Sequence, residues 1–91
     1  MECDYFYLRV NNDDMVGDLI NVGDVVMINR QSEVGPQDIA AIVNDFGIIL
    51  RRVDRKGCKF ILTASNPDLT QDECNDISII GRVVKALVKI K

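Results

Sequence analysis

Two consecutive stretches decide the fold of this chain: Val10-Asn11-Asn12-Asp13-Asp14-Met15 and Leu19-Ile20-Asn21-Val22-Gly23-Asp24-Val25-Val26-Met27-Ile28. The first predicts a strand that ends in a polar turn. Residues 16–21 predict a single helical turn, and the second stretch continues it with a Gly-Asp reversal and another strand. Two adjacent carboxylates therefore lie in a tight connection between two strands.

The rest of the chain continues this pattern of short strands and polar turns. In the first strand, Phe6, Leu8 and Val10 should share one face. We also predict a tight turn at 54–57 and a polar surface loop at 68–76, with Gly81 as a bulge in a long last strand over 77–90. The predicted fold is mostly β, a small curled sheet with at most one short helical turn.

Length and composition limit the function. The chain has 91 residues, 47% of them hydrophobic and 27% charged, which suits a single globular domain over residues 1–91. A net charge of −3 argues against a surface that binds nucleic acid phosphates. No apolar run approaches the roughly 20 residues that span a bilayer.

The cysteines point to no cofactor. Cys3, Cys58 and Cys74 are odd in number, widely spaced and unaccompanied by histidine, so neither a disulfide framework nor a zinc site is predicted. A cytoplasmic location is the simplest interpretation. The turn carboxylates could bind a divalent cation, but calcium-loop spacing is missing, and we expect no metal site.

The order of several short motifs resembles the C-terminal domain of the LexA-type repressors and UmuD-type proteins. In that family a Ser-Met pair follows the first strand, and Gly-Asp precedes the second. Here Asp13-Asp14-Met15 and Gly23-Asp24 stand at those places. Further matching pieces are Val34-Gly35, Arg51-Arg52-Val53, Asn66-Pro67 and Ile80-Gly81-Arg82-Val83-Val84. The resemblance runs from about Tyr5 to Val88 and implies the curled β fold of that domain.

The resemblance also identifies two positions where the chemistry has changed. The family uses a serine nucleophile activated by a neutral lysine to cut its own upstream linker. The serine falls on Asp14 and the lysine on Arg51. An arginine stays protonated and cannot act as the general base. We therefore expect a salt bridge between Asp14 and Arg51 in place of the reactive pair.

The sequence is compatible with other interpretations of the turn carboxylates and Arg51. Asp13, Asp14, Asp18 and Asp24 could be ordinary turn residues, with Arg51 one of several solvated arginines. The chain could also be an active self-cleaving peptidase of the same family with a misaligned dyad. A signal-peptidase-like protein would share the same motifs, but that interpretation requires a membrane segment.

The resemblance implies a non-catalytic dimerisation or regulatory domain of a bacterial or phage transcription regulator. DNA would be bound by an N-terminal helix-turn-helix domain outside this chain, with two half-sites held by a homodimer. The long last strand is the predicted interface, as an exposed edge. Its interface residues would be Gly81, Val84, Ala86, Val88 and Ile90. Alternatively, Lys85 and Lys89 protect that edge from pairing.

Overall fold

The computed structural model describes residues 4–45 and 47–87, which form seven strands and one 3-10 turn. The strands are β1 Tyr5–Arg9, β2 Val25–Arg30, β3 Ile39–Asn44, β4 Gly47–Lys56, β5 Lys59–Thr63, β6 Asp72–Cys74 and β7 Ser78–Leu87. The 3-10 turn covers Val16–Asp18, inside the predicted helical turn. The predicted mostly β fold is confirmed. Within the described ranges, no helix has the length and apolar character needed to cross a membrane.

All strand pairs are antiparallel and belong to one open sheet. Its order is β1-β2-β7-β3-β4-β5-β6, so the last strand of the sequence lies between β2 and β3. The consecutive strands β3, β4, β5 and β6 pair in chain order. Strand β7 therefore joins the β1-β2 pair to the rest of the sheet.

The sheet has a hydrophobic core on each face. Ala40 and Ala41 are neighbours on β3, both fully buried, and they belong to different clusters. This follows from the alternation of side chains along a strand. The first core contains Val10, Met15, Ile20, Val26, Ile28, Ala41 and Leu50, with the predicted face of Phe6 and Leu8 packed against it. The second contains Ala40, Ile42, Val53 and Leu62.

The segment between β1 and β2 is closed at its base and anchored in the first core. Val10 donates its N–H to the carbonyl of Asp24 and accepts a hydrogen bond from the N–H of Gly23, both at 2.8 Å. Met15 and Ile20 are 2% and 3% exposed. These contacts hold the excursion over residues 11–22 against the sheet.

Strand β7 corrects the prediction of an exposed terminal edge. Gly81 is buried and pairs with Arg30 of β2 and with Ala41 of β3, so that expectation is wrong for Gly81. The register carries an extra residue on β7 at Ile80 opposite β3 and at Val84 opposite β2. The predicted irregularity is thus a pair of bulges that flank Gly81.

The structure also corrects two predictions from the sequence. The stretch 68–76, predicted as a loop, contains the short edge strand β6, which pairs with Phe60, Ile61 and Leu62 of β5. The turn predicted at 54–57 begins later, because β4 continues through Lys56 and Gly57 has a φ of 65°. Cross-strand pairing with β5 extends β4 beyond its apolar residues.

Gly81→Ala should destabilise the fold. An added Cβ would collide with Cγ2 of Ile28 and come within 2.7 Å of the carbonyl oxygen of Asn29. Overpacking of this kind costs about 1–3 kcal/mol. Urea unfolding measures the loss. Gly35→Ala is the control, because its Cβ would meet only Oδ2 of Asp38 at 3.4 Å; equal effects of the two substitutions would contradict the assigned crowding.

Candidate functional site

Asp14 and Arg51 form an ion pair at the junction of the 11–22 excursion with β4. Nη1 of Arg51 lies 2.9 Å from Oδ2 of Asp14, so the predicted contact is present. The turn before the 3-10 segment places Asp14, whose N–H donates to Oδ1 of Asn12 at 3.1 Å. The side chains of Asp14 and Arg51 are only 19% and 13% exposed. The pair is therefore largely shielded from water.

The Arg51 guanidinium is further held by the backbone. Its Nη1 also donates to the carbonyl oxygen of Leu50 at 2.8 Å. The closest approach to Asp14 uses that same nitrogen. A single guanidinium nitrogen of Arg51 thus contacts both acceptors, the carboxylate of Asp14 and the carbonyl of Leu50.

A second ion pair fastens the same segment to the next residue of β4. Nη1 and Nη2 of Arg52 donate to the two carboxylate oxygens of Asp18 at 2.6 and 2.9 Å. This is the parallel geometry that guanidinium and carboxylate groups favour. The hydrogen bonds that Arg52 donates lower the pKa of Asp18, against the opposing effect of burial, and the same hydrogen bonds raise the pKa of Arg52.

The connection after β5 also forms hydrogen bonds with the 11–22 segment. Ser65 accepts hydrogen bonds from the N–H groups of Gly17 and Asp18, through its carbonyl and its Oγ respectively, both at 3.1 Å. Buried Asn66 donates from Nδ2 to the carbonyl of Asp13 at 3.1 Å. A Cβ on Gly17 would collide with the Ser65 carbonyl, so only glycine permits this approach.

The other motif residues of this segment have structural contacts. The Asp13 carbonyl accepts a second hydrogen bond, from the N–H of Val16 at 3.2 Å, and Met15 packs in the first core. Gly23 has a φ of 93°, and the Asp24 carboxylate accepts from the N–H of Asn21 at 2.9 Å. No group of three possible metal-ligating side chains occurs in residues 4–45 and 47–87.

Among the described residues, no hydrogen bond joins the side chain of Ser65 to a lysine. The Ser65 hydroxyl lies beside Sδ of Met15 at 4.0 Å and accepts from the N–H of Asp18. Neither of these partners is a base that could take the hydroxyl proton.

A groove runs beside the ion pair. Its cavity of about 470 Å³ is lined by residues 8–12, which lead to Asp14, and by residues 47–50, which lead to Arg51. In the described structure β1 pairs only with β2, and residues 47–51 of β4 pair only with β3. The two strand edges therefore have backbone groups with which an extended peptide could pair.

The sequence did not identify the contributions of Asp18, Arg52, Ser65 and Asn66. In the sequence, Asp18 is one of four carboxylates in predicted turns, and Arg52 is the neighbour of the candidate residue Arg51. The available signal is the adjacency of Arg51 and Arg52, two cations that follow one another in a chain whose acidic turn is predicted to contact Arg51. Asn66 belongs to the Asn66-Pro67 motif, and its contact with Asp13 is a tertiary contact that the motif does not indicate.

Comparisons with known proteins agree with the motifs and the fold. The family model described as Peptidase S24-like matches residues 2–84. The chain is 34% identical over 82 residues to the LexA repressor of Thermosipho melanesiensis, covering 88% of this chain and 41% of that protein. It is 32% identical over 85 residues to the LexA repressor of Mycobacterium leprae, covering 93% and 36%. The chain thus spans roughly two fifths of the length of these curated relatives.

The Asp14–Arg51 pair should show strong energetic coupling. Asp14→Ala or Arg51→Met leaves one shielded charge without its partner, which costs about 1–3 kcal/mol, whereas the double variant removes both charges. We expect the double variant to lose less stability than the sum of the single losses, measured by urea unfolding. The exposed Lys59–Glu73 pair, at 3.9 Å, is the control and should couple by less than about 1 kcal/mol. Additive losses at Asp14 and Arg51 would contradict the pairing.

Asp18→Asn should reduce stability at neutral pH and have less effect in acid. The pKa of Asp18 is lowered in the folded protein by the hydrogen bonds from Arg52, so its contribution is present above its unfolded pKa of about 4 and is lost as the pH falls through the folded value. Unfolding free energies of the two proteins should therefore converge below about pH 4. Glu73→Gln, in an exposed pair, serves as the control. A difference that is constant with pH would refute the assignment.

Proposed function

The chain belongs to the peptidase S24-like family, and we propose that it is a non-catalytic, LexA-like dimerisation and regulatory domain of a bacterial or phage transcription regulator. The observation that carries the proposal is the shielded ion pair of Asp14 and Arg51 at the positions that the family resemblance assigns to the nucleophile and its base. A scaffold of this family is retained, while its reactive couple is replaced by two charged groups that neutralise each other.

Asp14 cannot replace the serine in peptide hydrolysis. A carboxylate has no hydroxyl proton to give up, and its attack on an amide carbonyl would form a mixed anhydride, a poor intermediate for this reaction. The Asp14 carboxylate is also in contact with Arg51, which withdraws electron density from the oxygen that would attack. Nucleophilic catalysis at this position is therefore disfavoured twice.

Arg51 cannot replace the lysine as the base. A lysine can lose its proton in an apolar setting, whereas a guanidinium remains protonated in proteins. Arg51 therefore cannot activate a nucleophile for attack on a peptide bond.

The regulatory role rests on the relatives and on charge. The aligned relatives are repressors, and the chain covers roughly two fifths of their length. Its net charge of −3 argues that DNA is contacted by another part of the regulator, for which we propose an N-terminal helix-turn-helix domain. This chain would supply the subunit pairing and remain inside the cell.

We propose a homodimer that uses the second half of β7. Residues 83 and 85–87 pair with β2, and among the described residues this part of β7 has no register partner on β3. Val84, at the bulge, is 38% exposed, and Ala86 pairs with Val26 of β2. Val88 and Ile90, also predicted for the interface, lie outside the described residues. The alternative, protection of this edge by lysines, would leave the protein monomeric.

Incubation of the full natural reading frame at alkaline pH tests the absence of catalysis. With an activating partner where one exists, we expect the protein to remain intact by mass spectrometry, because neither Asp14 nor Arg51 can supply the chemistry. Two discrete fragments would show that the chain is a self-cleaving peptidase with a different dyad.

Two controls make this result interpretable. A family member with serine and lysine at the two positions should be cleaved under the same conditions. The double variant Asp14→Ser/Arg51→Lys of the present chain tests whether the two replacements are the cause. Cleavage of the double variant alone would assign the inactivity to these two residues.

A further inference from the structure

A second groove lies over the second core, separate from the groove beside Asp14. Its cavity of about 480 Å³ is in the size range of ligand pockets in proteins. Besides Pro36, the apolar part of the lining comes from five hydrophobic side chains of the second core and its surroundings: Val34, Val53, Phe60, Ile77 and Ile79. Four of these residues are only partly buried, so the groove offers hydrophobic surface that the described part of the chain leaves accessible.

The rim of this groove carries an excess of negative charge. Glu33 and Asp54 are exposed, and within the described structure neither carboxylate forms an ion pair. Arg55, the cation on the rim, is stacked over the ring of Phe60 at 5.1 Å from its centroid. The backbone N–H of Arg55 donates to the Asp54 carboxylate at 2.8 Å. An apolar floor with two carboxylates favours a segment that combines aliphatic and basic side chains.

We propose that this groove binds the segment Val88-Lys89-Ile90-Lys91 of a second copy of the chain. The inference rests on the proposed homodimer and assigns it an interface. Valine and isoleucine alternate with lysine in this segment, so an extended conformation places both aliphatic side chains on one face. The long aliphatic stems of the lysines allow their ammonium groups to reach the carboxylates at the rim.

The distance along β7 favours a second copy over the same copy. Ile79, near the start of β7, lines the groove, whereas residue 88 follows the far end of that strand. The eight residue steps from Ile79 to Leu87 amount to about 26 Å. Residues 88–91 can extend by about 14 Å at most. In a two-fold symmetric dimer, each copy would place its segment in the groove of the other.

Reversal of the charges on both sides tests this interface in the full natural reading frame. Glu33→Lys/Asp54→Lys should weaken the dimer by about tenfold, and Lys89→Glu/Lys91→Glu should do the same, because each creates like-charge contacts. The protein with all four substitutions should regain the wild-type dissociation constant to within about threefold. Sedimentation velocity at low and high salt measures these constants, and high salt should reduce the differences.

A matched control changes the same amount of charge elsewhere. Asp45→Lys/Asp68→Lys replaces two exposed carboxylates outside the groove and should leave the dissociation constant unchanged. A dimer that responds to none of the groove variants, or equally to the control, would overturn the assigned interface and leave the proposed dimerisation intact. A protein that is monomeric at every concentration would overturn the proposed dimerisation itself.

Discussion

The burial of Met15 and Ile20 is the constraint on which the site depends. These two side chains anchor the excursion between β1 and β2 in the first core. The residues between and beside them then have few alternatives, and the carboxylates of Asp14 and Asp18 meet the arginines of β4. Gly17 permits the approach of the Ser65 carbonyl, which accepts the N–H of Gly17 and helps to fix the segment. Ordinary hydrophobic packing thus places the polar groups.

The two ion pairs give the segment a defined position more than a large stability. Removing charges from water costs free energy that a partly shielded contact only partly returns. The pair of Asp18 and Arg52 has the better geometry, with two hydrogen bonds, whereas Asp14 and Arg51 are the more shielded from water. Mispositioning of the segment would leave two guanidinium groups without carboxylate partners. This penalty discriminates against other arrangements of the turn.

The strand pattern and the Asp14–Arg51 contact could be predicted from the sequence for different reasons. Alternation of apolar residues indicated the face formed by Phe6, Leu8 and Val10, whereas the contact came from the family resemblance. Strand β6 was missed because Asp72 and Glu73 are charged and three residues carry too little periodicity to indicate a strand. The interior place of β7 depends on long-range pairing, which local patterns do not encode. The ion pair of Arg52 with Asp18 likewise depends on a long-range contact that local patterns do not encode.

The position of β7 has a consequence for biosynthesis. Strands β2 and β3 are each hydrogen-bonded to β7 and not to one another, so the β1-β2 pair and strands β3 to β6 become parts of one sheet only through β7. A nascent chain on the ribosome cannot complete this sheet before residues 78–87 have emerged from the exit tunnel. Pairings so distant along the polypeptide also slow the search for the native topology. During translation, the inner edges of β2 and β3 are open to aggregation or to binding by chaperones.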